Sequence, residues 1–233
     1  MPANPRSFLP VLAAGAIAPA LILLYLAGFR PSMVRASEPA TMAPEPAPVG
    51  ISAGADTAVF AGGCFWGVEA VFDHLAGVST AVSGYAGGTV ASPSYEEVST
   101  GRTGHAESVM VVYDPARISY DQLLQVFFTV AHDPTQLDRQ GPDVGTQYRS
   151  AVFYRNAAQR QAAERYIAKL REAKVYRSPI VTEVTPLDGF NRAEDYHQDY
   201  LVHHPHQPYI VINDAPKLEE LRRRFPDLYR APG

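Results

Sequence analysis

Residues 57–75 read Thr57-Ala58-Val59-Phe60-Ala61-Gly62-Gly63-Cys64-Phe65-Trp66-Gly67-Val68-Glu69-Ala70-Val71-Phe72-Asp73-His74-Leu75. A short apolar run, Thr57 to Ala61, is closed by two glycines, and Val68, Val71, Phe72 and Leu75 then recur at helical spacing. The stretch predicts a strand, a tight turn and a helix, with Cys64 where the turn enters the helix.

Val78 to Tyr85 and Ala106 to Tyr113 alternate as strands, separated by a Gly/Ser/Thr-rich loop from Gly87 to Gly104. Ser119 and Gln122 form a capping box, and Tyr120, Leu123, Leu124, Phe127, Phe128 and Ala131 line one face of the helix that follows. Tyr148 to Tyr154 is a further strand. Asn156 and Gln159 cap a helix with Ala163, Tyr166, Ile167 and Leu170 inward, and Ile180 to Val184 adds another strand. The order β-α-β-β-α-β followed by α and β predicts an α+β fold, a two-layer sandwich with a ferredoxin-like split β-α-β core and helices on one face. Beyond Pro186 the pattern is less periodic, which predicts a loop-rich C-terminal extension with short helices. Pro216 opens the last of these, through Arg224.

The chain has 233 residues, 46% hydrophobic and 19% charged, enough to bury a core in one domain or two small ones, so wholesale disorder is excluded. The net charge is -4, and residues 1–36 hold only the basic Arg6, Arg30 and Arg35, so the remainder is more acidic still. A nucleic-acid-binding role is thereby disfavoured, since that affinity comes from clustered basic residues. One cysteine excludes an internal disulfide framework, a thiolate zinc cluster and an iron–sulfur centre.

From Ser7 to Phe29 the chain carries no charge. Two readings of residues 1–36 stay open: a secretory signal, with Arg6 ahead of the apolar segment and Val34-Arg35-Ala36 as a cleavage site, or an uncleaved membrane tether through residues 8–29. Either predicts a working domain that is exported, periplasmic or membrane-anchored outside the cytoplasm. Residues 37–56, rich in Pro and Ala, read as a linker, and residues 57–233 as the catalytic domain.

A thiol at a helix N-terminus faces unpaired N–H groups and the positive end of the helix dipole, which predicts a lowered pKa and a nucleophilic thiolate at Cys64. The alternative is a small buried hydrophobe. The flanking glycines and the chain's only tryptophan, Trp66, favour a pocket.

Five motifs in one order carry a resemblance: Gly62-Gly63-Cys64-Phe65-Trp66-Gly67, Gly84-Tyr85-Ala86-Gly87-Gly88, Thr103-Gly104-His105-Ala106-Glu107, Gly145-Thr146-Gln147-Tyr148-Arg149-Ser150 and Ala193-Glu194-Asp195-Tyr196-His197-Gln198. From about Ala58 onward the chain resembles the A-type peptide methionine sulfoxide reductases. The resemblance implies reduction of methionine S-sulfoxide, free or in oxidised proteins, by a cysteine thiolate with no metal or prosthetic group. It implies Cys64 as nucleophile, Glu107 as proton donor, and Tyr95 and Tyr148 as phenols that hydrogen-bond the sulfoxide oxygen. Phe65 and Trp66 match the walls that receive the substrate methyl group, with Asp143 and His197 completing the substrate-binding set.

Two departures bear on turnover. Family members often carry resolving cysteines near the C-terminus, and no cysteine follows Cys64 here; some relatives have cysteine where this chain has Ser99. The expected cycle therefore ends at a Cys64 sulfenic acid that only an external thiol reduces, from a thioredoxin- or glutaredoxin-type protein or glutathione.

Three other readings compete. His203, His204 and His206 read as a solvated cluster rather than a metal site, because Pro205 breaks helical spacing. A cysteine hydrolase would use Cys64 with His105 or His197 as base. A non-catalytic methionine-binding module would keep the pocket and leave the thiol idle.

Overall fold

A computed structural model describes residues 54–231. In chain order the elements are β1 (Asp56–Gly62), α1 (Phe65–Asp73), β2 (Val78–Ala86), α2 (Tyr95–Ser99), β3 (Ala106–Tyr113), α3 (Tyr120–Val126), β4 (Arg139–Gln140), β5 (Asp143–Val144), β6 (Ser150–Tyr154), α4 (Ala157–Glu172), β7 (Glu183–Pro186), β8 (Phe190–Arg192), α5 (Tyr200–His203) and α6 (Ala215–Arg224). The N-terminal apolar segment and residues 37–53 of the expected linker lie outside the described residues.

Six strands form one sheet of order β7-β6-β1-β3-β2-β8. β1 pairs antiparallel with β3 and β6, and β2 pairs antiparallel with β3, so the expected split β-α-β core is present. Ala58 and Phe60 point to the helical layer, while Val59 and Ala61 join a smaller cluster with Ala86, Ala106, Ala151 and Phe153 on the other face. Both faces of β1 are thus buried, which is why its sequence is continuously apolar rather than alternating. The Phe60 ring stacks on Phe72 of α1 at 5.1 Å and on Phe127 at 4.8 Å, locking strand to helices. Its truncation to alanine would cost roughly 3–5 kcal/mol.

Both expected caps form. Ser119 and Gln122 make the reciprocal pair at α3, and Asn156 accepts the N–H of Gln159 at α4. The helix expected to run through Ala131 changes character instead: α3 stops at Val126 and a π turn continues from Phe127 to Ala131. That turn lets the His132 ring stack on Phe127 at 4.1 Å.

Three expectations are corrected. The loop between Gly87 and Gly104 contains α2, opened by Ser94 with Glu97 in a capping box whose spacing was visible in the sequence. The strand expected at Ile180 to Val184 begins at Glu183 and runs parallel to β6, because the Val181 N–H is already committed to the Pro134 carbonyl. The extension beyond Pro186 contributes an edge strand, β8, against Gly84 to Ala86. Three residues are too few to show a period.

Candidate active site

The turn from β1 into α1 is set by Gly63 at φ +89, where a Cβ would lie 2.4 Å from the Cβ of Gln140. Glycine alone permits both the left-handed backbone and this close approach. Cys64 becomes the N-cap of α1 and is 8% exposed. The expected lowering of its pKa is not what the surroundings produce. Burial, and then the Glu107 and Asp214 carboxyls once ionised, push the thiol well above its ordinary value, and these outweigh the Trp66 backbone N–H and the Lys217 ammonium. At neutral pH Cys64 is therefore a thiol rather than a preformed thiolate.

Glu107 sits on β3 opposite Tyr85 and is 2% exposed. Its Oε2 accepts the backbone N–H of Phe65 at 3.1 Å, which brings the carboxyl beside Cys64. Burial pushes its pKa up to about 8, with Asp143 and Asp214 adding to the rise and the Phe65 N–H opposing it. At neutral pH the group is a carboxylic acid and carries a proton to give.

The two phenols belong to the same neighbourhood. Tyr95 opens α2, its backbone N–H held by Glu194 Oε1 at 2.8 Å. Tyr148 ends a 3-10 turn, Thr146–Tyr148, just before β6 rather than lying in the strand. Burial, and after it the Glu107 carboxyl, raises both phenol pKa values, so each remains a hydrogen-bond donor. Asp143 on β5 accepts the Tyr209 hydroxyl.

His197, in a 3-10 turn of the extension, is 2% exposed. Its ring lies 4.9 Å from Phe65, 5.8 Å from Trp66 and 4.5 Å from Tyr95, and its Nδ1 accepts the Trp66 indole N–H at 3.2 Å. The structure therefore gathers Phe65, Trp66, Tyr95 and His197 into one aromatic cluster. Burial lowers the His197 pKa, so the ring is neutral.

Other members carried little sequence signal. Glu194 braces Tyr85 through the phenol O–H at 2.9 Å and Tyr95 through its N–H. Tyr200 stacks on Trp66 at 3.8 Å and 8°, and Tyr209 meets it edge-on at 6.0 Å. Glu194 lay inside a quoted motif. Tyr200 and Tyr209 lie in the aperiodic stretch beyond Pro186, where no spacing marks them as packing against Trp66.

The hydrolase reading fails on geometry. His105 spends both ring nitrogens on the backbone, with Gly88 N–H at 3.2 Å and the Val90 carbonyl at 2.8 Å. His197 holds the Trp66 indole N–H on Nδ1, and its Nε2, buried with no hydrogen-bond partner, faces Glu194 at 4.0 Å. Among the described residues no imidazole is hydrogen-bonded to the Cys64 sulfur as an activating base would be. His203, His204 and His206 are exposed, and among the described residues no group of His, Cys, Asp or Glu is placed to hold a metal ion.

A lone buried thiol beside a protonated carboxyl and two phenol donors defines a thiol-dependent oxidoreductase. The peptide methionine sulfoxide reductase family model matches residues 56–228. The chain is 58% identical over 176 residues to peptide methionine sulfoxide reductase MsrA 2 of Mesorhizobium japonicum, covering 76% of this chain and 90% of that one. It is 50% identical over 178 residues to MsrA 2 of Synechocystis sp., covering 76% and 83%. Among solved structures it resembles methionine sulfoxide reductase A of Corynebacterium diphtheriae (TM-score 0.60, 41% identity, 68% of this chain and 80% of that one). Reduced Mxr1 of Saccharomyces cerevisiae is also similar (TM-score 0.63, 33% identity, 68% and 91%). The chain belongs to the A-type peptide methionine sulfoxide reductase family.

Proposed function

We propose that this chain reduces methionine S-sulfoxide, free or in oxidised proteins, to methionine at Cys64. The observation that carries the reading is the neutral Glu107 carboxyl tied to the N–H of Phe65, next to the thiol. A sulfoxide sulfur is a poor electrophile until its oxygen is protonated, and Glu107 supplies that proton. Tyr95 and Tyr148 donate hydrogen bonds to the same oxygen as charge develops there. Phe65 and Trp66 receive the methyl group, and sulfur–aromatic contact favours it. His197 and Asp143 hold Trp66 and Tyr209 in place around it.

In the first half-reaction the substrate S–O bond breaks, the oxygen with the proton from Glu107 ends on Cys64 as a sulfenic acid, the proton of the Cys64 thiol replaces the one Glu107 gave, and the substrate sulfur leaves reduced to a sulfide. In the second, two equivalents of an external thiol return Cys64 to the thiol, releasing water and a disulfide. We propose a thioredoxin- or glutaredoxin-type protein or glutathione as that donor, supported by the single cysteine in the sequence. We further propose that residues 1–36 direct the domain out of the cytoplasm, supported by the uncharged stretch from Ser7 to Phe29.

The test is turnover by the full chain with the two methionine sulfoxide epimers and dithiothreitol. Consumption of the S epimer is expected. Binding without turnover, or ester cleavage instead, would overturn the reading.

A further inference from the structure

The first turn of α1 carries a contact that none of the roles above uses. Asp214, at the end of the π turn Ile210–Asp214, is 1% exposed. Its Oδ1 lies so close over Gly67 that a Cβ there would be 2.0 Å away, and the Lys217 ammonium would be 2.7 Å from the same Cβ. Asp214 and Lys217 pair at 3.1 Å. An ion pair from the start of α6 thus rests on the turn whose N-cap is Cys64, and Gly67 is the residue that lets it approach. The pair is also incomplete: the buried Oδ2 of Asp214 has no hydrogen-bond partner. Lys217 is then the main compensation for that carboxylate.

Resting on the reductase reading, we propose that Asp214 and Lys217 are positioning residues whose opposed charges set how much of Cys64 is present as thiolate. Lys217 favours the anion and Asp214 disfavours it, both acting across Gly67. The other titratable groups that act on the thiol are Glu107 from β3, Tyr95 from α2, Tyr148 from the 3-10 turn before β6 and Tyr209 ahead of the π turn, with Asp143 of β5 on Tyr209 and His197 of the extension against Phe65 behind them. None of the three substitutions below removes any of them.

The experiment is the rate of iodoacetamide alkylation of Cys64 against pH in the full chain, followed by intact mass. Because Cys64 is the chain's one thiol, the signal has one source. At neutral pH, Lys217→Met should slow alkylation at least about threefold, Asp214→Asn should speed it by about as much, and Lys217→Arg should stay within about twofold of the parent. A merely structural pair would not move the two rates in opposite directions. Rates that move together, or do not move, overturn the proposal. If Lys217→Met does not fold, Asp214→Asn decides alone, with faster alkylation supporting the clamp and an unchanged or slower rate overturning it. Alkylation needs no sulfoxide, so the clamp and the reductase activity fail or stand separately.

Discussion

The Glu107 carboxyl, on the third strand of the sequence and the centre of the sheet, accepts the backbone N–H of the residue immediately after Cys64, Phe65, at 3.1 Å. That bond ties an acid buried in the sheet to the first turn of the helix bearing the nucleophile, so donor and nucleophile are held by two rigid elements. Rigid placement of both groups is what proton transfer coupled to sulfur attack requires.

Glu107→Gln should slow single-turnover formation of the Cys64 sulfenic acid by about two to four orders of magnitude. The amide keeps an acceptor for Phe65 and the parent carboxyl is already neutral at pH 7, so the unfolding midpoint there should hardly change. A single-turnover rate within a few-fold of the parent would remove Glu107 from the mechanism.

Trp66 is the chain's only tryptophan, and its indole N–H is bonded to a neutral His197. Protonating His197 removes that acceptor, so tryptophan emission should titrate at a pH below the ordinary histidine value of 6.5. His197→Leu should abolish this titration and lower kcat/KM by about tenfold. Emission that titrates identically in the variant would show that another group is sensed.

Stability should fall as pH rises from neutrality. Burial raises Glu69 to about 8, Asp73 to about 7 and Glu107 to about 8, so through this window the folded chain holds protons that the unfolded chain has released. His132, lowered to about 4 by burial, works in the opposite sense but only below 6.5. Denaturant titrations should therefore give a loss of about 2–4 kcal/mol between pH about 6.5 and about 8.5, and Glu69→Gln should flatten it. A stability that rises across this range would contradict the raised pKa of these carboxyls.

Without reductant, methionine S-sulfoxide should yield one methionine per chain and then stop. Cys64 should gain one oxygen by intact mass and react with a sulfenic-acid-specific nucleophile. A small thiol should restore it at a rate that rises with thiolate concentration. Continued methionine production without a thiol, or a covalent dimer through Cys64, would mean that a second route resolves the sulfenic acid.

Local signals were enough for the order of elements, the caps at Ser119 and Asn156, and the place of Cys64 at a strand-to-helix turn, because each depends on neighbours within a few residues. Two of the five motifs contain Glu107 and Tyr148, whereas Tyr95 lies outside all five and is implied by the family resemblance alone. Tertiary structure alone decided the charge state of the site. The helix N-terminus that favours a thiolate was readable at Cys64, whereas the burial that opposes it, and the Glu107 and Asp214 carboxyls that add to it on ionising, come from β3 and from the start of α6. The same holds for Tyr200 against Trp66 and for Asp214 over Gly67, contacts across more than a hundred residues that no local period encodes. Short-range propensity is written in adjacent residues, but desolvation and Coulomb interaction depend on distance in space, and that distance exists only once the chain has folded.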